Sequence, residues 1–95
     1  PTNAAFAAVP GDMLGAILGD EALLTSVLLY HVTPGTNDPR SFVPAVRRNT
    51  LLGQKVYYSY ADAAPRVNNA AINCSGVRVN NGIVWLIDSV LVPAL

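Results

Sequence analysis

Between residues 12 and 30 the apolar and polar positions follow a helical period. Asp12 reads as the N-cap of a first helix, Met13-Leu14-Gly15-Ala16-Ile17-Leu18, and Gly19 as its stop. Asp20 and Glu21 open a second helix, in which Leu23, Leu24, Val27 and Leu28 recur at the spacing of one face. Thr25 and Ser26 fall opposite, so the apolar face must lie against a core. Residues 4 to 30 are thus expected to be helical. The period changes at Tyr30: Tyr30-His31-Val32 reads as a short extended piece joining a sheet edge before a Thr33-Pro34-Gly35 turn. Pro39 and Pro44 limit a short helix or irregular segment from Ser41 to Val46, and Arg47-Arg48-Asn49 reads as a polar connector.

From Thr50 onward the character is that of strands: Thr50-Leu51-Leu52, a Gly53-Gln54 turn, then Lys55 to Tyr60. Strict alternation puts Val56, Tyr58 and Tyr60 on one face, the better candidate for the core, and Lys55, Tyr57 and Ser59 on the other. Ala63-Ala64-Pro65 interrupts the sheet. Arg66-Val67 then leads through an Asn68-Asn69 turn to a strand around Ala70 to Cys74, and Gly76 starts another, Val77-Arg78-Val79. Asn81-Gly82 marks a tight turn whose residues tolerate positive φ. A long final strand follows, with Asp88 near its end and Pro93 closing it. Ile83, Trp85 and Ile87 share one face of that strand, Val84 and Leu86 the other. Helices first and a strand-rich half after them make an α+β chain, its short strands and Asn/Gly turns suggesting an antiparallel sandwich or small barrel.

Ninety-five residues suffice for one domain with a thin core. Hydrophobic residues make up 52% of the chain and charged ones 13%, against a typical charged share of about 25%. So little charge predicts apolar surface covered by a partner subunit, a neighbouring segment or a lipid-like ligand; the alternative is a compact β-rich domain with an uncharged surface. Six basic and six acidic residues cancel, and Arg47-Arg48 is the only basic cluster, which argues against nucleic acid as a partner. No stretch approaches the ~20 apolar residues of a transmembrane helix. The chain opens on Pro1 rather than Met, which reads as a processed or excised product.

Catalytic chemistry finds little to work with. His31 is the only histidine, and no Ser or Cys sits in a nucleophile turn. The carboxylates Asp12, Asp20, Glu21, Asp38, Asp62 and Asp88 are scattered, so neither an acid/base pair nor a metal site is expected. A single cysteine, Cys74, excludes an internal disulfide and reads as a buried free thiol. Asn73-Cys74-Ser75 matches the N-glycosylation acceptor pattern, which acts only in a eukaryotic secretory pathway.

Three segments nevertheless carry a family pattern. Asn81-Gly82-Ile83-Val84-Trp85-Leu86-Ile87-Asp88-Ser89-Val90-Leu91-Val92-Pro93 resembles the C-terminal signature of fasciclin-like domains, with Trp85 where the family usually has His. Leu28-Leu29-Tyr30-His31-Val32-Thr33-Pro34-Gly35 resembles its Tyr-His motif, and Pro1-Thr2-Asn3-Ala4-Ala5-Phe6 the tail of its N-terminal motif. The resemblance implies a β-sandwich wedge with helices along one edge, here one domain over residues 1–95 lacking the family's N-terminal helices and first strand. It therefore predicts an open helix face and an open sheet edge, to be filled by another polypeptide or by self-assembly.

It also implies a non-enzymatic, extracytoplasmic interaction module, secreted or at the cell surface, in cell adhesion or in envelope or matrix assembly, with a protein partner and no cofactor. The partner-binding role falls by resemblance on Tyr30 and His31, flanked by Leu28, Leu29 and Val32; the competing reading is a packed ring and a hydrogen-bonded imidazole at a junction. Trp85 is either an outward anchor or core. Tyr57, Tyr58 and Tyr60 either pack across the sheet or line a groove for an apolar ligand, some fasciclin-like proteins being carriers of carotenoids, so the alternative function is a carrier of a carotenoid or lipid. Asp88 reads as a carboxylate holding a strand end.

Overall fold

The structure, a computed structural model, describes residues 1–35, 46–61, 64–73 and 76–94. Helices fill the N-terminal third: α1 (Asn3–Ala7), α2 (Gly11–Leu18) and α3 (Glu21–Tyr30). Thr2 caps α1, its side chain accepting from Ala5 N at 3.1 Å, and Asp20 caps α3 through a bond from Leu23 N at 3.2 Å. The helical stretch is broken at Ala8 to Pro10 and again at Gly19 and Asp20. Asp12 does not cap α2. That helix starts two residues earlier, at Gly11 after Pro10, and Asp12 lies in its first turn, where a carboxylate still complements the helix dipole.

α3 runs further than the change in pattern suggests, for Tyr30 is its last residue and His31 its C-cap. Tyr30-His31-Val32 is therefore a helix terminus and not an extended piece. The buried face is correspondingly shifted: Val27 and Tyr30 are buried, Leu23 and Leu24 half-buried, and Leu28 is 55% exposed. Thr25 and Ser26 return their hydroxyls to the carbonyls of Glu21 and Ala22, the usual way such residues are satisfied inside a helix. Among the described residues no single helix is long and apolar enough to cross a membrane.

Among the described residues four strands form an antiparallel sheet in chain order, with β1 at one edge: β1 (Val46–Asn49), β2 (Lys55–Ala61), β3 (Ala64–Val67) and β4 (Ala70–Ala71). Arg47-Arg48-Asn49, expected as a connector, is edge strand β1, with Arg47 opposite Tyr57 and Arg48 opposite Val56. Thr50, Leu51 and Leu52 are not a strand but belong to the β1–β2 turn, closed by bonds from Thr50 N and Oγ1 to the Gln54 carbonyl. Pro65 does not interrupt the sheet; it sits buried within β3, opposite Tyr60. Its carbonyl still accepts from Ile72 N, so the pairing continues there with only the donor that proline lacks missing. The β3–β4 turn is the expected Asn68-Asn69, both left-handed at φ 48 and 70.

A separate hairpin pairs β5 (Val77–Val79) with β6 (Gly82–Val84). Its two turn residues are Asn80 and Asn81, because Gly82 already pairs with Val79; among the described residues positive φ is confined to Asn68, Asn69, Gly35 and Gly53. The long final strand is likewise shorter than expected. Beyond Val84 regular pairing stops, and an isolated bridge between Ile72 and Ile87 ties the C-terminal segment to the sheet. Asp88 holds that junction, its Oδ1 accepting from Ala71 N at 2.8 Å while its own N donates to the Ala71 carbonyl.

The core gathers Tyr30 from α3, Val56, Tyr58, Val67 and Ala70 from the sheet, and Ile72, Ile87 and Leu91 beyond it. Leu52 and Trp85 pack against this cluster. Val56 and Tyr58 are buried as the alternation requires, but Tyr60 at the far end of β2 is 37% exposed. The expected helix or irregular segment between Pro39 and Pro44, and the burial of Cys74, lie outside the described residues.

Candidate functional site

The site is built on the C-terminus of α3. The Tyr30 ring is 5% exposed, and its hydroxyl donates to the Lys55 carbonyl at 2.8 Å while accepting from Asn68 Nδ2 at 2.9 Å. One phenol thus ties the helix to β2 and to the β3–β4 turn. Asn68 reaches it because a left-handed backbone, which asparagine tolerates, turns its side chain back over the sheet. There its Oδ1 also accepts from Tyr57 N at 2.8 Å.

His31 makes the second link. Its Nε2 lies 2.9 Å from Leu91 N, a group that can only donate, so Nε2 accepts and Nδ1 carries the proton. Nδ1–H donates in turn to the Val27 carbonyl at 2.7 Å, satisfying one of the orphan carbonyls of the helix end. The imidazole is therefore held neutral in one tautomer, and burial pushes its pKa down from the usual histidine value, more than the Val27 bond raises it.

The sign of the pH dependence follows. In the window below the usual value of about 6.5 the unfolded chain binds the proton that the folded chain refuses. The His31 contribution is whole above that value and is lost as pH falls through the lower folded one. Urea midpoints are expected to drop between pH 7.5 and pH 5, and the drop to shrink in His31→Gln. An equal drop in that variant would place the sensitivity elsewhere.

In front of this junction lies an open cleft of about 600 Å³, between the inward face of the sheet and the β5–β6 hairpin. Its lining includes His31, Val32, Tyr58, Val67, Trp85 and Leu91. Tyr58 is buried, and that burial pushes its hydroxyl pKa up against the lowering effects of a bond with Thr33 and of the nearby Arg48 charge. Trp85 is half-buried and faces inward with Ile83 and Ile87, while Val84 and Leu86 are exposed. Gly76 lies flat against the indole: a Cβ there would stand 2.9 Å from Trp85 Cη2 and from Ile83 Cγ2.

Of the residues singled out from sequence, the cleft brings together His31, Val32, Tyr58 and Trp85. Tyr30 stands behind it as a strut; a ring so buried has no face to offer a partner. Leu28 is exposed and Leu29 half-buried on the helix outside the cleft, Tyr60 lies at the far end of β2, and Asn73 is exposed just past β4. In the sequence Asn68 reads only as a turn residue and Leu91 only as part of the family signature. The first left a signal, an Asn-Asn pair too polar for the strands beside it; the second left none, since a backbone donor shows no side chain. Among the described residues no group of three His, Cys, Asp or Glu converges to hold a metal ion.

A family model described as the fasciclin domain matches residues 1–93. Immunogenic protein MPT70 of Mycobacterium tuberculosis is 40% identical over 93 residues, which are 98% of this chain and 47% of that protein. Cell surface glycolipoprotein MPB83 of Mycobacterium bovis is 39% identical, covering 98% of this chain and 41% of its own length. Periostin of Homo sapiens is 29% identical over 99% of this chain and 12% of its own length. The chain thus spans less than half the length of these curated relatives.

Proposed function

The chain belongs to the fasciclin family, and from that premise we propose that it is a non-enzymatic interaction module, secreted or at the cell surface, whose apolar cleft docks a protein partner in adhesion or envelope assembly. One observation carries the reading. Val32, Leu51, Val79 and Val84 all line the cleft, yet remain 46%, 54%, 48% and 48% exposed. A rim of aliphatics around a concave apolar surface is what a partner's hydrophobic anchor needs, and water gains nothing from it. Similarity to a protein described as a cell surface glycolipoprotein supports the location. Tyr30 and His31 serve by holding α3 and the Leu91 segment in place, with Val32 at the point of contact.

The test is retention of intact cells from the protein's source on the immobilised full-length protein. Val32→Asp with Leu51→Asp is expected to weaken retention at least about tenfold, because a buried carboxylate in an apolar contact has no compensation. Leu18→Asp, on an exposed position outside the cleft, should leave it unchanged. Undiminished retention in the double variant would remove the cleft from the interaction.

The cleft also favours the second reading, a carrier of an apolar small molecule, since its volume and lining suit such a ligand. Trp85, the only tryptophan, reports on it directly. Native mass spectrometry of the protein from its source separates the two: a bound lipid or chromophore, with shifted Trp85 emission, selects the carrier, and a bound polypeptide selects the docking module.

A further inference from the structure

The sheet has a second face, turned away from the cleft, and its chemistry is different. Register places Arg47 directly opposite the outward-facing Tyr57, Lys55 two residues before Tyr57 on the same strand, and Arg66 opposite Ser59. Opposed positions lie about 5 Å apart and alternate residues along a strand about 7 Å, so three cations surround one ring. Arg47, Lys55 and Tyr57 are exposed, the tyrosine by 55%. Among the described residues no carboxylate pairs with the three cations: Lys55 Nζ donates to Asn49 Oδ1 and Arg66 to the Asn69 carbonyl. Asp88 flanks the far margin beyond Ala71, whose backbone N–H it accepts.

We infer that this face binds an acidic polysaccharide. The cations call for an anionic partner, and the guanidinium fork matches carboxylate and sulfate groups. Tyr57 supplies a flat ring on which the C–H face of a sugar can lie. Asn49 and Ser59, around it, carry an amide and a hydroxyl that both donate and accept, as sugar hydroxyls do. A membrane surface would require apolar anchors that this face lacks, and nucleic acid a longer track of cations following its phosphates than these three provide. An acidic peptide shares the need for cations but makes no use of the ring and its hydroxyl-matching border.

The experiment measures affinity of the full-length protein for a heparin octasaccharide and for poly-L-glutamate of matched charge. Three charge contacts predict that heparin affinity falls about 20- to 40-fold between ~50 and ~200 mM salt. Arg47→Glu with Arg66→Glu is expected to weaken it at least about tenfold more at low salt. Tyr57→Ala should cost about fivefold on heparin and nothing on poly-L-glutamate, and Arg78→Glu on β5 should change neither. If the double glutamate variant loses its circular dichroism, Arg47→Gln with Lys55→Gln repeats the test. Poly-L-glutamate binding as tightly as heparin would replace the glycan by an acidic protein segment. Heparin affinity insensitive to salt or to Arg47, or equally damaged by Arg78→Glu, would dismiss the face altogether. Because Val32 and Leu51 lie on the cleft side, loss of cell retention and loss of glycan binding separate cleanly.

Discussion

Tyr30→Ala is expected to lower the free energy of unfolding by about 4 kcal/mol, the middle of the range for a buried aromatic truncated to alanine. The change empties a site in the middle of the core cluster and also leaves the Lys55 carbonyl and Asn68 Nδ2 without their shared partner. A chain of this length has about 5 to 14 kcal/mol in total, so the variant should be partly unfolded at modest urea concentrations. Tyr30→Phe keeps the ring and loses only the hydroxyl, which should cost about 1.5 kcal/mol. Urea titration followed by Trp85 fluorescence measures both. If alanine cost no more than phenylalanine, the strut would consist of its hydrogen bonds alone, and the packing argument would fail.

Asn68→Ala should follow at about 2.5 kcal/mol. Two effects add: alanine is strained by about 1 kcal/mol at the left-handed φ of 48, and Tyr57 N and Tyr30 Oη each lose a partner. Asn68→Gly removes the strain and keeps the lost bonds, so it should fall between wild type and alanine. The link to Tyr30 is tested by combining Asn68→Gly with Tyr30→Phe. A shared bond makes the double variant less damaged than the sum by about 0.5 to 1 kcal/mol. Strict additivity would mean that the two residues act independently.

How far the chain could be read depended on whether a local pattern had one physical solution. Asp20, with an apolar face behind it, admits little but a helix start, and strict alternation from Lys55 to Tyr58 admits little but a half-buried strand. The Leu28-to-Val32 run is different. A short apolar run suits a helix end and a strand alike, and the contacts that decide it, Tyr30 on Lys55 and His31 on Leu91, come from 25 and 60 residues away. Arg47 and Arg48 look like a loop because charge is rare in sheet interiors, but β1 is an edge, where charge is tolerated and wards off further pairing. The family signature located the C-terminal segment, yet its inward and outward sides were settled by Gly76 and Ile72, neither of them obvious from the signature. The cleft itself had no local trace, since its walls come from α3, the sheet and a separate hairpin.

In β2 two surfaces are written on interleaved positions, Val56 and Tyr58 toward the cleft, Lys55, Tyr57 and Ser59 away from it. Each set can drift in composition without disturbing the other, so the two faces are free to acquire different partners over evolutionary time. The length of the strand has no such freedom. Insertion or deletion of one residue would exchange the two scripts, setting lysine in the core and valine in water. Change in this part of the protein is therefore confined to substitution within β2, while gains and losses of length are left to the turns at either end.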